Sequence, residues 1–146
     1  MKISFCCDHG GIIAKEAVFD YLKNNGHEIV DFGTFSEQSC DYPDFAYPCS
    51  EAVAKGECEF GILICGTGIG MSICANKVKG VRCAHVTNIF CAEVTRQHND
   101  TNMIALGARI NTVEEIVSFV DKFLTTKFDG GRHETRVGKI MAYEQK

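Results

Sequence analysis

Cys65 is followed by glycines at 66, 68 and 70, and the residues before it, Phe60-Gly-Ile-Leu-Ile64, form a short apolar run. Such a run reads as a strand buried on both faces. Ser72-Ile-Cys-Ala-Asn-Lys-Val78 then resumes with helical character. The thiol therefore stands where a buried strand ends and a glycine loop feeds a helix. At such a junction backbone N–H groups are free, the helix dipole is positive, and missing Cβ atoms let a ligand approach. The same field favours a thiolate. A base beside an oxyanion pocket is the chemistry this stretch can perform; a tight turn holding an inert cysteine is the plain alternative.

Better-known loops do not fit. A dinucleotide fingerprint needs a third glycine three residues after the second, where this chain has Met71. A cysteine phosphatase loop needs an arginine six residues after its nucleophile, which is again Met71. No Gly-Lys-Ser/Thr follows, so the Walker A pattern is absent.

The elements that position Cys65 are read from periodicity. Lys2 to Cys7 is the first strand, followed after Asp8-His9-Gly10-Gly11 by a helix to about Asn25 with Ala14, Val18, Tyr21 and Leu22 on one stripe. Gly26 stops it. Glu28 to Phe32 is the second strand and Phe35 to Asp41 a polar loop. Tyr42-Pro43 opens a helix in which Pro48 marks a kink or a later start. Val81 to Val86 is the fourth strand, Asn88 caps a helix through about Gln97, and Asn102 to Leu106 is the fifth strand. Thr112-Val-Glu-Glu115 is a capping box for a helix with an apolar face through Leu124. Gly130-Gly131 then forms a hinge into a shorter helical stretch. Strands alternating with helices through short connections predict a doubly wound, Rossmann-like α/β fold: a five-stranded parallel sheet with helices on both faces and a C-terminal helical arm.

At 146 residues the chain predicts one domain, with roughly 70% of its unfolded surface buried. Its net charge of −4 argues against nucleic acid or an anionic membrane as partner. No run of 18 apolar residues exists, and the first residues enter a strand at once, which predicts neither signal peptide nor anchor. Nine cysteines, an odd number without Cys-x-x-Cys, fit reduced thiols in a cytoplasmic protein, most of them small core residues.

Ligands of an open parallel sheet bind off the carboxyl ends of its strands. Those ends carry Asp8-His9, Cys65 to Gly70, and His85 to Asn88. Asp8 suits a helix cap as well as a ligand contact. His98-Asn99-Asp100 precedes the fifth strand and so lies at the opposite end of the sheet in a single chain. It reaches this site by a local excursion or serves a neighbouring subunit. Arg132 and Arg136 share one helical face, as a solvated surface or as a phosphate clamp that Arg109 can join. No His/Cys/Asp/Glu spacing suggests a metal.

Asp8-His9-Gly10, Asp41-Tyr42-Pro43-Asp44, Gly61 through Ser72, Arg96-Gln-His-Asn-Asp100, Ala105-Leu-Gly-Ala-Arg109 and Gly130-Gly-Arg-His133 together resemble the type B ribose-5-phosphate isomerases. The match runs in order along nearly the whole chain. The relatives of that family include galactose-6-phosphate and allose-6-phosphate isomerases. The resemblance implies an aldose–ketose isomerase without metal or other cofactor, acting on a small sugar phosphate as a homodimer or dimer of dimers. It implies Cys65 as the base of a cis-enediolate mechanism, with Thr67 and the amides of Gly66, Gly68, Ile69 and Gly70 holding the enediolate oxygens. His98 is implied to open the furanose ring. Asp8, His9, Tyr42 and Asn99 are implied to position the sugar, and Arg109, Arg132 and Arg136 to bind phosphate. The C-terminal arm, about 128–146, is implied to bring its arginines to the partner's site. Spacing alone allows the glycine loop to hold the phosphate; the resemblance gives it the reacting end. Cys6-Cys7, Gly11, Pro48 and Thr87-Asn88-Ile89 depart from the family pattern. A six-carbon sugar phosphate is the rival substrate, and a non-catalytic phosphosugar-binding protein the rival from another class; Cys65, Thr67 and His98 together argue against the latter.

Overall fold

The computed structural model describes residues 1–146. Its elements are β1 (Lys2–Cys7), a 3-10 turn (Ile12–Ala14), α1 (Lys15–Asn24), β2 (Glu28–Asp31), α2 (Pro43–Ala54) and β3 (Phe60–Cys65). They continue with α3 (Ile69–Ala75), β4 (Cys83–His85), α4 (Ile89–Asn99), β5 (Met103–Gly107), α5 (Val113–Thr125) and α6 (Arg132–Tyr143). The five strands pair in parallel in the order β2-β1-β3-β5-β4. The order reverses between β1 and β3, which opens a crevice off their carboxyl ends.

Strand alternation divides the core. Ile3, Phe5, Cys7, Ile62, Ile64, Ile104 and Leu106 pack against α1, α4 and α5. Cys6, Leu63, Cys65, Met103 and Ala105 face the other way, toward α2 and α3. There Ala46, Cys49, Ala52, Cys74 and Ala75 supply small side chains beside the larger Val53 and Met71. β3 is buried along both faces, as its apolar run requires. No helix is long and apolar enough to cross a membrane.

Several boundaries differ from the sequence reading. Helix α2 runs from Pro43 through Pro48 with neither a later start nor a break. Pro48 falls in its second turn, where the carbonyl left without a donor is that of the exposed Asp44. Helix α3 begins at Ile69 rather than Ser72, because Gly68 adopts φ +81° as its N-cap and Gly70 lies inside the helix. Strand β4 is only three residues long. Its outer edge at Cys83 is closed by one side chain: Asn76 Nδ2 donates to the Cys83 carbonyl at 2.8 Å, and Asn76 Oδ1 accepts from the Cys83 N–H at 2.9 Å. Helix α4 extends two residues past Gln97, so His98 and Asn99 form its last turn rather than a loop. Its Asn88 cap and the Thr112–Glu115 capping box of α5 are formed as expected.

Helix α6 packs on its own chain. Asp129 N–H donates to the Gln97 carbonyl at 3.0 Å, and the Gly80 N–H donates to Glu144 at 3.0 Å. Ile140 and Tyr143 remain exposed on its outer side.

Candidate active site

β1 and β3 deliver their carboxyl ends side by side, with Cys7 opposite Ile64 in the ladder. Between them opens a cleft of about 450 Å³, lined by Asp8, His9, Gly10, Tyr42, Cys65, Gly66, Thr67, Ile69, Gly70, Ile73 and Arg109. Most of the predicted site residues therefore meet in one place.

Cys65 is 5% exposed, and its Sγ accepts the Gly68 N–H at 3.0 Å. No other cysteine sulfur accepts a backbone N–H. The bond sets a backbone donor on the sulfur at the edge of the cleft. Burial pushes Cys7 up to about 12 and raises Cys6 well above the usual thiol range. Cys65 is thus the thiol whose surroundings suit proton transfer.

The rest of the cleft is built around it. Asp8 Oδ1 accepts the N–H groups of Gly10 (2.8 Å) and Gly11 (3.1 Å), which closes the turn after β1 and leaves Oδ2 for a ligand. His9 Nδ1 accepts the Cys40 N–H at 3.2 Å, so the neutral ring carries its proton on Nε2. The loop that brings Cys40 there is tethered by Lys15, whose Nζ bonds Asp31 at 2.6 Å and the Thr34 carbonyl at 3.0 Å. Tyr42 lies against Gly70, where a Cβ would fall 2.6 Å from the ring. Arg109 covers Gly66 in the same manner and makes no ion pair, so its charge is free.

His85 was named only as a strand-end residue, and it proves to brace the loop. Its Nε2 bonds the Thr67 carbonyl at 2.7 Å, which holds Thr67 against the end of β5. The position of His85 at a strand end was the signal; its partner was not readable. Ile73, one turn into α3, also lines the cleft and was missed.

The remaining predicted residues are not in this cleft. His98 and Asn99 precede β5, whereas Arg109 follows it, and the five residues of β5 alone span about 17 Å. His98 stacks on His133 with ring centroids 4.3 Å apart and planes 10° from parallel. Burial, then the positive charge of His98, Arg132 and Arg136, holds His133 below the ordinary histidine value. Arg132 and Arg136 are exposed and without carboxylate partners, so this end of the chain presents unneutralised positive charge. The chain thus holds the thiol apart from His98 and the arginines, with the length of β5 between them.

His98, Asp129 and His133 also bring ligand atoms within 4.8 Å of one another, a grouping that sequence spacing did not reveal. The stacked rings aim their lone pairs along two parallel planes, and these do not converge on one ion at the 2.0–2.1 Å typical of imidazole–zinc bonds. A larger groove of about 790 Å³ runs between α6 and β4, with Asn99 as its sole predicted residue. Its cysteine, Cys83, is kept a thiol by burial. The smaller cleft, with its chemistry, is the better candidate.

The comparisons agree with this geometry. A family model described as Ribose/Galactose Isomerase matches residues 3–140. Ribose-5-phosphate isomerase B of Escherichia coli is 46% identical over 145 residues, covering 99% of this chain and 97% of its own. The solved structure of ribose-5-phosphate isomerase B from Clostridium thermocellum superposes with a TM-score of 0.96 at 50% identity, covering 99% of this chain and 98% of that one. That of the Mycoplasma genitalium enzyme with bound ribulose-5-phosphate gives 0.96 at 40% identity, covering 99% and 97%. A doubly wound sheet with a strand-end thiol at its switch point, matched over nearly its full length by these proteins, identifies the chain as a member of the ribose/galactose isomerase family.

Proposed function

We propose that this isomerase interconverts ribose 5-phosphate and ribulose 5-phosphate through a cis-enediolate, with Cys65 as the base. The observation that carries the reading is the Cys65 sulfur, hydrogen-bonded by the Gly68 amide and opening on the cleft beside Asp8, His9 and Arg109. The relative from Mycoplasma genitalium with ribulose-5-phosphate bound supports the substrate class.

In this mechanism the Cys65 thiolate takes the proton from C2 of the open-chain aldose. The electron pair moves into a C1–C2 double bond, and charge develops on O1. The amides around Gly66 to Gly70 and the Thr67 hydroxyl are the donors nearest the sulfur for that charge. A proton passes from O2 to O1, and the thiol returns its own proton to C1, giving the ketose. Atoms and electrons balance without an external oxidant. Asp8 Oδ2 and the His9 Nε2–H orient sugar hydroxyls, with Tyr42 over the loop. His98 opens the furanose ring, Asn99 assists in holding it, and Arg109, Arg132 and Arg136 neutralise the phosphate.

Since β5 separates His98 and the α6 arginines from Cys65, each site is completed by a second copy of the chain, in a cytoplasmic homodimer. Substitution tests the base. Cys65→Ala is expected to lower kcat at least about a hundredfold with KM little changed, because the base acts on the transition state. A purified variant with full activity would remove Cys65 from the mechanism. A coupled assay on ribose 5-phosphate, allose 6-phosphate and galactose 6-phosphate ranks the substrates, and preference for a six-carbon sugar would replace the pentose reading.

A further inference from the structure

His98 and Asn99 end α4, and the residue that stops the helix is Asp100, with φ +45° and ψ +44°. It is the only residue other than glycine with positive φ. L-residues avoid this left-handed region because Cβ crowds the carbonyl, and the conformation persists only where the surroundings over-determine it. A carboxylate at a helix C-terminus also opposes the helix dipole. The left-handed backbone closes α4, with the Asp100 N–H donating to the Arg96 carbonyl and the Thr101 N–H to the Thr95 carbonyl, both at 3.3 Å, but the charge of Asp100 does not serve α4 by itself.

Two arginines account for the charge and hold the turn in place. Arg96 Nη1, one turn earlier, donates to Asp100 Oδ1 at 2.8 Å and to the Thr101 carbonyl at 2.6 Å. Arg82, just before β4, donates through Nη2 to Asp100 Oδ2 at 3.3 Å and to the Asp100 carbonyl at 2.6 Å. Its Nε donates to the Asn99 carbonyl at 3.3 Å. Carbonyls that a helix end leaves without partners are thus covered by guanidinium N–H groups. The remaining Arg82 nitrogen, Nη1, donates to Met141 Sδ at 3.2 Å, which carries the same anchor into α6. Arg96 is itself fixed, 9% exposed and lying 4.9 Å from the centroid of the Phe60 ring.

We propose that Asp100 is a positioning residue. Gripped by Arg82 and Arg96, it stops α4 in one orientation and so aims His98 and Asn99 at the sugar, with no substrate contact of its own. The inference rests on His98 acting in the reaction, as proposed above.

A double-mutant cycle in the full-length protein tests it. Asp100→Ala removes both the carboxylate and the tolerance of left-handed backbone. Its turnover on ribose 5-phosphate is expected to fall about ten- to a hundredfold, the usual consequence of small misplacement. Asp100→Asn, which keeps an acceptor and tolerates the backbone, is expected to recover much of that loss. The decisive readout is coupling: His98→Ala/Asp100→Ala is expected to be no slower than His98→Ala alone. Deuterium exchange from solvent into ribulose 5-phosphate, which needs no ring opening, is expected to stay within about twofold in Asp100→Ala. Losses that multiply in the double variant, or unchanged turnover in Asp100→Ala, overturn the proposal. A fully active His98→Ala sinks the ring-opening role, and any Asp100→Ala loss beside it cannot run through His98, so positioning fails with it. If Asp100→Ala does not fold, Arg82→Lys carries the same cycle, and the same coupling is required of it.

Discussion

A methyl group at position 11 would sit 2.2 Å from the carbonyl oxygen of Ile64, the residue before the proposed base. The contact cannot be relieved cheaply, since that carbonyl is backbone of β3, the central strand of the sheet. Gly11→Ala is expected to cost about 1–3 kcal/mol by overpacking, read as a lower urea midpoint with unchanged slope. Activity falls as well, because the Gly11 N–H is one of two that hold Asp8. The sequence identified Gly11 as unusual, and the structure supplies the reason. Cys65, Asp8 and His9 were readable because a buried strand followed by glycines fixes where their side chains stand. The Tyr42 ring over Gly70 and the His85 brace on Thr67 were not. Each depends on chain segments that approach from far along the sequence, and no local pattern encodes that distance.

Among the elements, α6 is joined to α4 through the stacked pair of His98 and His133. The ordinary histidine value is 6.5, and His133 lies below it in the fold. The folded chain therefore resists a proton that the unfolded chain accepts. Stability is full above about pH 6.5 and declines as the pH falls from there toward the lower folded value. Urea unfolding at pH 7.5 and pH 5.5 is expected to reveal this decline, and His133→Gln to make it shallower. The comparison of parent and variant separates His133 from His27, which burial and the terminal amine also hold low. Helix identities were legible from apolar stripes and from the caps at Asn88 and Thr112. Helix ends were less so. Glycines at 68 and 70 read as loop, yet the first is a cap and the second packs beneath an aromatic ring. The end of α4 is closed by a left-handed Asp100 held by Arg82 and Arg96, where the sequence has no glycine to mark a stop.

For the molecule as a whole, the proposal that two copies share each site sets what must assemble. On that proposal a Cys65→Ala homodimer lacks its base at both sites, and an Arg132→Ala/Arg136→Ala homodimer lacks phosphate grip at both. Refolded together in equal amounts, they are expected to recover roughly a quarter of parental activity: about half the dimers are mixed, each with one intact site. Activity remaining at the level of the separate variants, with mixed dimers demonstrated by mass, would put the arginines in the same chain's site. The parallel sheet and its switch point were legible from alternating strands and helices. The opposite placement of His98 was legible too, because a residue before a strand and a residue after it cannot share an end of a parallel sheet.

The cysteine-lined face beneath α2 and α3 has a consequence for handling and lifetime. All nine thiols are free, and six of them are buried. The native fold is therefore the chain's chief protection against air. Once it opens, nine reactive sulfurs share one flexible polymer, and random cross-linking competes with return to the native state. Without a reductant, heating this protein is expected to be a one-way process whose midpoint follows the scan rate. Its durability in storage is then governed by how seldom it opens rather than by how favourable the folded state is.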